Sequence, residues 1–339
     1  MDLSHRVLSL PLKADIGHRV VHRGVETYDP VGAAINHPVG HVTQALMNVW
    51  FKRNPNDDDL LPPDLKSTFT ALCDVRIDRF RHGRVLLGSQ LIAFFRVDRL
   101  WTEQHLLPLF AWNEPDEAKA VWEGFLWSPR LYQPLLASFK SQFLATAHHY
   151  GELGEHRQQF AALLTYAALG PTQGYTEEEF RGAIGALPQE GLEESAQALY
   201  QALEGAGDQR EDYWAHRAKP FWQKIWPKSR EFATPRIAES LTRLAIAARD
   251  AFPDALAEVL AWLQRIEHSH FIVDRLYSSK LCSRYPMDAL ALLSAVMDDR
   301  QWIPQKLALC LDQIADSAPQ ISQNTNYVKL RELSRARSM

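Results

Sequence analysis

Six arginines, Arg76, Arg79, Arg81, Arg84, Arg96 and Arg99, share one stretch of chain with Phe80, Phe94, Phe95 and Trp101. A guanidinium is a planar fork of N–H donors that matches a phosphate or a carboxylate, and an aromatic neighbour adds a face for stacking. That combination could hold a nucleic acid or an acidic protein partner. Asp74, Asp78 and Asp98 lie in the same stretch. The same letters therefore also describe a salt-bridged helix face.

A second pattern pairs tryptophan with proline and a cation. It occurs as Leu126-Trp127-Ser128-Pro129-Arg130 and as Ile225-Trp226-Pro227-Lys228-Ser229-Arg230, the latter followed by Thr234-Pro235-Arg236. Proline is favoured at the first helical position, so a helix start is expected at each. A cation in that first turn opposes the helix dipole and calls for a carboxylate, either of this chain or of a partner. Trp127, Arg130, Trp226, Lys228 and Arg230 thus join Arg79, Arg81, Arg84, Arg96 and Arg99 as candidate partner contacts.

Other chemistries find little support. His37 and His41 have the i, i+4 spacing of a helical metal pair, but Pro38 and Gly40 intervene and no glutamate stands between them. His148, His149 and His156 read as helix-end or surface residues, as do His268 and His270. No Walker sequence, no GxGxxG and no nucleophile elbow occurs, and Pro63-Asp64-Leu65-Lys66 opens a helix where a nuclease needs strands. No catalytic, cofactor or metal residue is assigned. A helical hydrolase whose residues meet only in three dimensions stays as an alternative.

Composition narrows the classes further. The 339 residues are 46% hydrophobic and 23% charged with a net charge of −4, which argues against wrapping nucleic acid by global electrostatics. Nucleic-acid binding through the Arg76–Arg99 cluster is kept as an alternative. Cys73, Cys282 and Cys310 lie in apolar helical runs and read as small buried hydrophobes of a reducing compartment. The start of the chain lacks a signal-peptide core and no apolar run approaches a membrane span, so the expectation is a cytoplasmic protein without membrane contact.

The elements that must carry these residues are marked by proline. His37-Pro38, Pro62-Pro63, Ser128-Pro129, Thr234-Pro235, Phe252-Pro253, Tyr285-Pro286 and Ile303-Pro304 each precede helically spaced apolar residues. Thr176 through Glu179 has the letters of a capping box. Ile237, Leu241, Leu244, Ala245 and Ala248 form one apolar stripe, and residues 286–297 are apolar nearly all round, as an inner helix would be. Most of the ten tryptophans lie near helix ends, where large rings fill gaps between packed helices. The expectation is an all-α fold, an irregular helix-pair repeat of HEAT or TPR type over residues 37–339, behind an extended or irregular segment at 1–36.

Five segments carry a family resemblance: NHPVGHVTQALMNVWF (36–51), RFRHGRVLLGSQLIAFFRVDRLWTEQHLLPLFAW (79–112), WEGFLWSPRLYQPLL (122–136), ALYQALEGAGDQREDYWAHRAKPFWQKIWPKSR (198–230) and SHFIVDRLYSSKLCSRYP (269–286). Together they resemble the helical C-terminal region of bacterial sirtuin-like anti-phage proteins, over roughly residues 30–310. In that family an N-terminal sirtuin domain hydrolyses NAD on infection, and the helical part is thought to sense a phage component or hold the assembly. Residues 1–36 cannot contain a dinucleotide fold, and the Gly-Ala-Gly opening and catalytic Asn/His context of sirtuins are missing. The resemblance therefore implies a non-catalytic scaffold or sensor, either a fragment or a separate chain. Its partner would be an effector domain, a phage component or a second copy of the chain.

Overall fold

A computed structural model describes residues 8–9, 19–22, 25–229, 232–267, 269–297 and 303–335. The chain is predominantly helical, and its contacts divide it into two units, 1–163 with 171–188, and 164–170 with 189–339.

In the first unit, strands Arg19–His22 and Val25–Tyr28 pair antiparallel, with His22 opposite Val25. Helix Pro30–Asn36 follows at once, within the segment expected to be irregular. Its start is built from residues that also read as breakers: Pro30 opens the helix, and the Asp29 carboxylate accepts from the Gly32 N–H at 2.7 Å. Helix Pro38–Phe51 begins as expected, with His37 as its cap, Nδ1 accepting from Val39 N at 3.1 Å. The His37 ring stacks on that of His82 at 3.9 Å between centroids, and both are buried.

Helix Arg81–Ser89 packs against helix Pro115–Leu126, and glycine sets their approach. A Cβ on Gly124 would stand 2.1 Å from the Val85 carbonyl oxygen, and one on Gly88 3.0 Å from the Val121 oxygen. Aromatic rings fill the flanks. Trp50, Phe69, Phe94 and Trp101 form one cluster, with Trp50 and Phe94 stacked at 4.7 Å. Phe110, Trp122, Phe139, Phe143 and Phe160 form another. All nine rings are buried. Truncating one such ring to alanine typically costs about 3–5 kcal/mol.

The second unit repeats this logic. Helix Pro235–Ala247 packs on helix Gln189–Gly205, and its five-residue apolar stripe is wholly buried. Thr234 caps it, accepting from Ile237 N at 3.2 Å, and ties it to the neighbouring helix by donating to Glu193 at 2.8 Å. The run Arg210–Tyr213, Trp214–Ala218, Lys219–Lys224 takes a π turn in its middle. The indoles of Trp214 and Trp222 then donate to Asp254 (2.7 Å) and to the Glu258 carbonyl (3.0 Å), fastening the run to helix Phe252–Val259.

Three proline starts fall elsewhere than expected; Pro227 lies in the non-helical stretch 227–229, and the next α-helix opens at Pro235. Pro129 lies in a connector, and the next helix is Gln133–Ser138. A helix begun at Pro129 would carry Pro134 in its interior, where the ring clashes with a preceding carbonyl. Pro304 forms a tight turn, its carbonyl accepting from Leu307 N at 3.1 Å, before helix Leu307–Ser317. Helix Pro286–Val296 buries Leu290, Leu293 and Val296 but leaves Met287 56% exposed, so it is not enclosed on all sides. The expected capping box at Thr176 and Glu179 is present with both of its hydrogen bonds. Trp302 and His268 lie outside the described residues.

The glycine contact can be tested by substitution. Gly124→Ala should lower stability by about 2–4 kcal/mol through forced separation of the two helices. Gly182→Ala, in helix Glu177–Gly185 with open space around the new methyl, should leave it unchanged or raise it by up to about 1 kcal/mol. Urea denaturation followed by circular dichroism at 222 nm measures both; equal effects would contradict the close approach.

Candidate functional site

The arginine cluster resolves into separate contacts. Arg84 is fully buried in helix Arg81–Ser89. Its Nε and Nη2 donate to the two oxygens of Glu117 at 2.6 and 2.9 Å. Its Nη1 donates to the carbonyls of Leu72 at 3.1 Å and Asp74 at 2.9 Å, with a longer contact of 3.4 Å to Ile77. One guanidinium thus closes the 72–77 turn and joins two helices. Arg84 has no surface to offer a partner, which corrects its place among the candidate contacts. Arg81 adds a second donor to Glu117 at 2.9 Å.

The remaining arginines lie nearer the surface. Arg76 meets Asp74 at 2.7 Å, and this exposed guanidinium holds the Asp74 pKa down to about 2. Arg79 donates to the Leu8 carbonyl at 3.1 Å and lies over the Phe80 ring. Arg96 pairs with Asp57 at 2.7 Å, and Arg99 with Glu103 at 2.8 Å while donating to Ser138 at 3.1 Å. Asp98 is buried: burial alone would raise its pKa, but Lys66 at 2.8 Å and the N–H groups of Leu61 and Trp101 outweigh it and hold the carboxylate ionised. The cluster does not form one continuous basic face.

The two tryptophan-proline-cation segments differ from each other. Trp127 is 52% exposed and Leu131 41%, in the connector after helix Pro115–Leu126. Arg130 is exposed, and among the described residues no carboxylate pairs with it. Trp226 is instead buried, stacked on Trp222 at 5.2 Å, which corrects its reading as a contact residue. Lys228 sets its ammonium 4.0 Å from the Trp222 ring centroid, and the desolvation there lowers its pKa. Arg230 lies outside the described residues.

Among the described residues of the first unit, two open clefts stand out. One, of about 430 Å³, is lined by four carboxylates, Asp78, Glu114, Asp116 and Glu117, and by Arg76 and Arg81. The other, of about 290 Å³, has Arg96 and Arg130 as its charged lining, with Ser89, Gln90, Ser128 and apolar side chains.

Sequence reasoning passed over one buried polar centre. Glu123, 1% exposed, accepts from Gly154 N at 2.8 Å, from His156 N at 3.3 Å and shares a 2.8 Å contact with His156 Nδ1. The hydrogen bond that the Glu123 carboxylate accepts from His156 raises the His156 pKa against the opposing effect of burial. Burial, then Glu123, also raises the pKa of the nearby Tyr28 phenol, whose ring lies 4.0 Å from the Lys119 ammonium. The available signal was a glutamate at an otherwise apolar face of residues 120–126. His149 stacks on Trp112 at 4.3 Å and pairs with Glu152. Among the described residues, no group of three or more His, Cys, Asp or Glu side chains is placed to hold a metal ion, and no helix is long and apolar enough to cross a membrane.

Comparison with known proteins gives one distant likeness. The chain is 23% identical over 325 residues to uncharacterized protein y4cA of Sinorhizobium fredii (strain NBRC 101917 / NGR234), covering 91% of this chain. It spans 26% of that relative's length. No family model matches the chain, and no solved structure is significantly similar to it.

Two measurements probe the buried groups. Glu117→Leu should cost about 3–5 kcal/mol because Arg84 is left buried without a carboxylate, Arg84→Met should cost less because Arg81 still holds Glu117, and the double variant should recover most of the larger loss. Additive losses in a double-mutant cycle would contradict the pairing. His156 has a folded pKa above its unfolded value near ~6.5, so its stabilisation is complete below that pH and fades as pH rises through the folded value. His156→Gln should therefore destabilise more at pH 6 than at pH 8.5 in urea titrations; the same loss at both would count against the linkage.

Proposed function

We propose that this chain is a non-catalytic helical module that binds protein and scaffolds or regulates an effector, in the anti-phage setting that its resemblance to sirtuin-like defence proteins implies. The observation that carries the reading is where the chemistry-bearing residues go. Arg81, Arg84, Glu117, Glu123 and His156 join helices to one another, whereas Trp127, Arg130 and Leu131 face solvent on one connector. Side chains spent on joining helices suit a scaffold, and an exposed Trp-Arg pair suits a contact surface, since those residue types dominate interface hot spots.

The match to a quarter of a longer bacterial protein supports a module that works beside other domains. We read the succession of short helices as an irregular HEAT- or TPR-like repeat, an architecture that offers extended binding surfaces. A nucleic-acid module has fewer cations to draw on, because Arg76, Arg81, Arg84, Arg96 and Arg99 each meet a carboxylate of this chain.

The test uses a full-length sirtuin-like defence protein carrying the resembling region. Excising the counterpart of residues 30–310 should abolish infection-triggered NAD loss while leaving the sirtuin domain folded. Unchanged NAD loss after excision, or NAD turnover by the purified chain that one point substitution removes, would overturn the proposal.

A further inference from the structure

The two clefts of the first unit differ in charge, and that difference selects a ligand class. In the larger one four carboxylates face two guanidiniums, and both arginines are already bonded to carboxylates, Arg76 to Asp74 and Arg81 to Glu117. In the smaller one the charged lining is two arginines and no carboxylate. Arg130 has no carboxylate partner among the described residues. Arg96 has Asp57, but in a pair half-exposed on both sides, which a second carboxylate can enter. Ile92, Ala93 and Phe125 give the same cleft an apolar part, and Ser89, Gln90 and Ser128 add neutral polar groups.

The adjoining connector carries the second observation. The connector that supplies Ser128 and Arg130 also holds Trp127, 52% exposed, and Leu131, 41% exposed. Six other tryptophans of the chain, Trp50, Trp101, Trp122, Trp214, Trp222 and Trp226, are buried to 2% or less. An exposed indole on the same connector as a guanidinium without a carboxylate partner among the described residues is the composition of an interface anchor rather than of a solvated loop.

We propose that this cleft, between helix Leu91–Val97 and the connector 127–131, seats an acidic and otherwise aliphatic segment of a protein partner. One carboxylate of that segment bonds Arg130 and shares Arg96, and its aliphatic neighbour lies over Ile92 and Ala93. Trp127 and Leu131 cover the flank. A cavity of about 290 Å³ accommodates one or two side chains rather than a folded surface, so the recognised element is a short motif. This assignment rests on the protein-binding reading above and adds to it the chemistry of the partner.

The probe is an acetylated and amidated pentapeptide alternating Leu with Glu and Asp, compared with its Gln and Asn isostere by isothermal titration against the whole chain. The acidic peptide should bind at least about tenfold more tightly than the isostere and weaken as salt rises. Arg130→Glu should abolish the binding, and Trp127→Ala should weaken it several-fold, with both variants melting like the parent. Arg76→Glu, on an arginine outside this cleft, should leave it unchanged. Equal binding of peptide and isostere, retention of binding by Arg130→Glu, or no binding of the acidic peptide at about 1 mM would each overturn the assignment. Those outcomes leave the scaffold reading standing on its own excision test, so the two failures are told apart.

Discussion

The Arg84–Glu117 pair is the constraint on which the first unit depends. Two charges are withdrawn from water, and their mutual attraction offsets that cost only because every strong valence is used. Arg84 spends its three nitrogens on both oxygens of Glu117 and on the carbonyls of the 72–77 turn, while Arg81 fills a further site on Glu117. The pair can form only where the helices come close, and Gly88 and Gly124 provide that closeness. Backbone approach and ion pair therefore presuppose each other.

The same economy governs the aromatic residues. Large rings supply apolar area, and a buried indole N–H usually finds an acceptor; four of the six most deeply buried tryptophans do, whereas the N–H groups of Trp50 and Trp226 are buried without one among the described residues. Trp101 donates to Thr70, Trp122 to the Phe110 carbonyl, Trp214 to Asp254 and Trp222 to the Glu258 carbonyl. Each of these bonds crosses from one helical segment to another. These four tryptophans thereby set the register of neighbouring helices as well as filling space, which a set of leucines would not do. Trp127, with half its surface in water, stands apart from this pattern and marks the connector on which the functional reading turns.

Local signals were legible in the sequence, and long-range pairings were not. The Thr176 capping box, the Pro38, Pro63, Pro235 and Pro286 starts and the stripe from Ile237 to Ala248 depend on residues within one or two turns, and all are present in the fold. Asp29-Pro30 was obscured because proline and glycine serve as breakers and as helix openers, and only the Asp29 cap decides between them. Arg84 read as a surface cation because Glu117, which makes its burial possible, lies far along the chain. Its setting between Gly83 and Val85-Leu86-Leu87-Gly88 was the hint that it faces inward. Trp127 and Trp226 share a local motif yet end exposed and buried, since neighbours in space rather than in sequence determine the outcome.

The account's central claim is that Arg81 and Arg84, in the middle of the arginine-rich stretch, are an internal tie between helices rather than a surface for a partner. Hydrogen–deuterium exchange on the whole chain, comparing the parent with Arg84→Leu under native conditions, tests that claim most directly. The account predicts that protection falls together over the 72–77 turn and the helices at 81–89 and 115–126, because one side chain joins all three. Loss of protection confined to the few amides around residue 84 would contradict it.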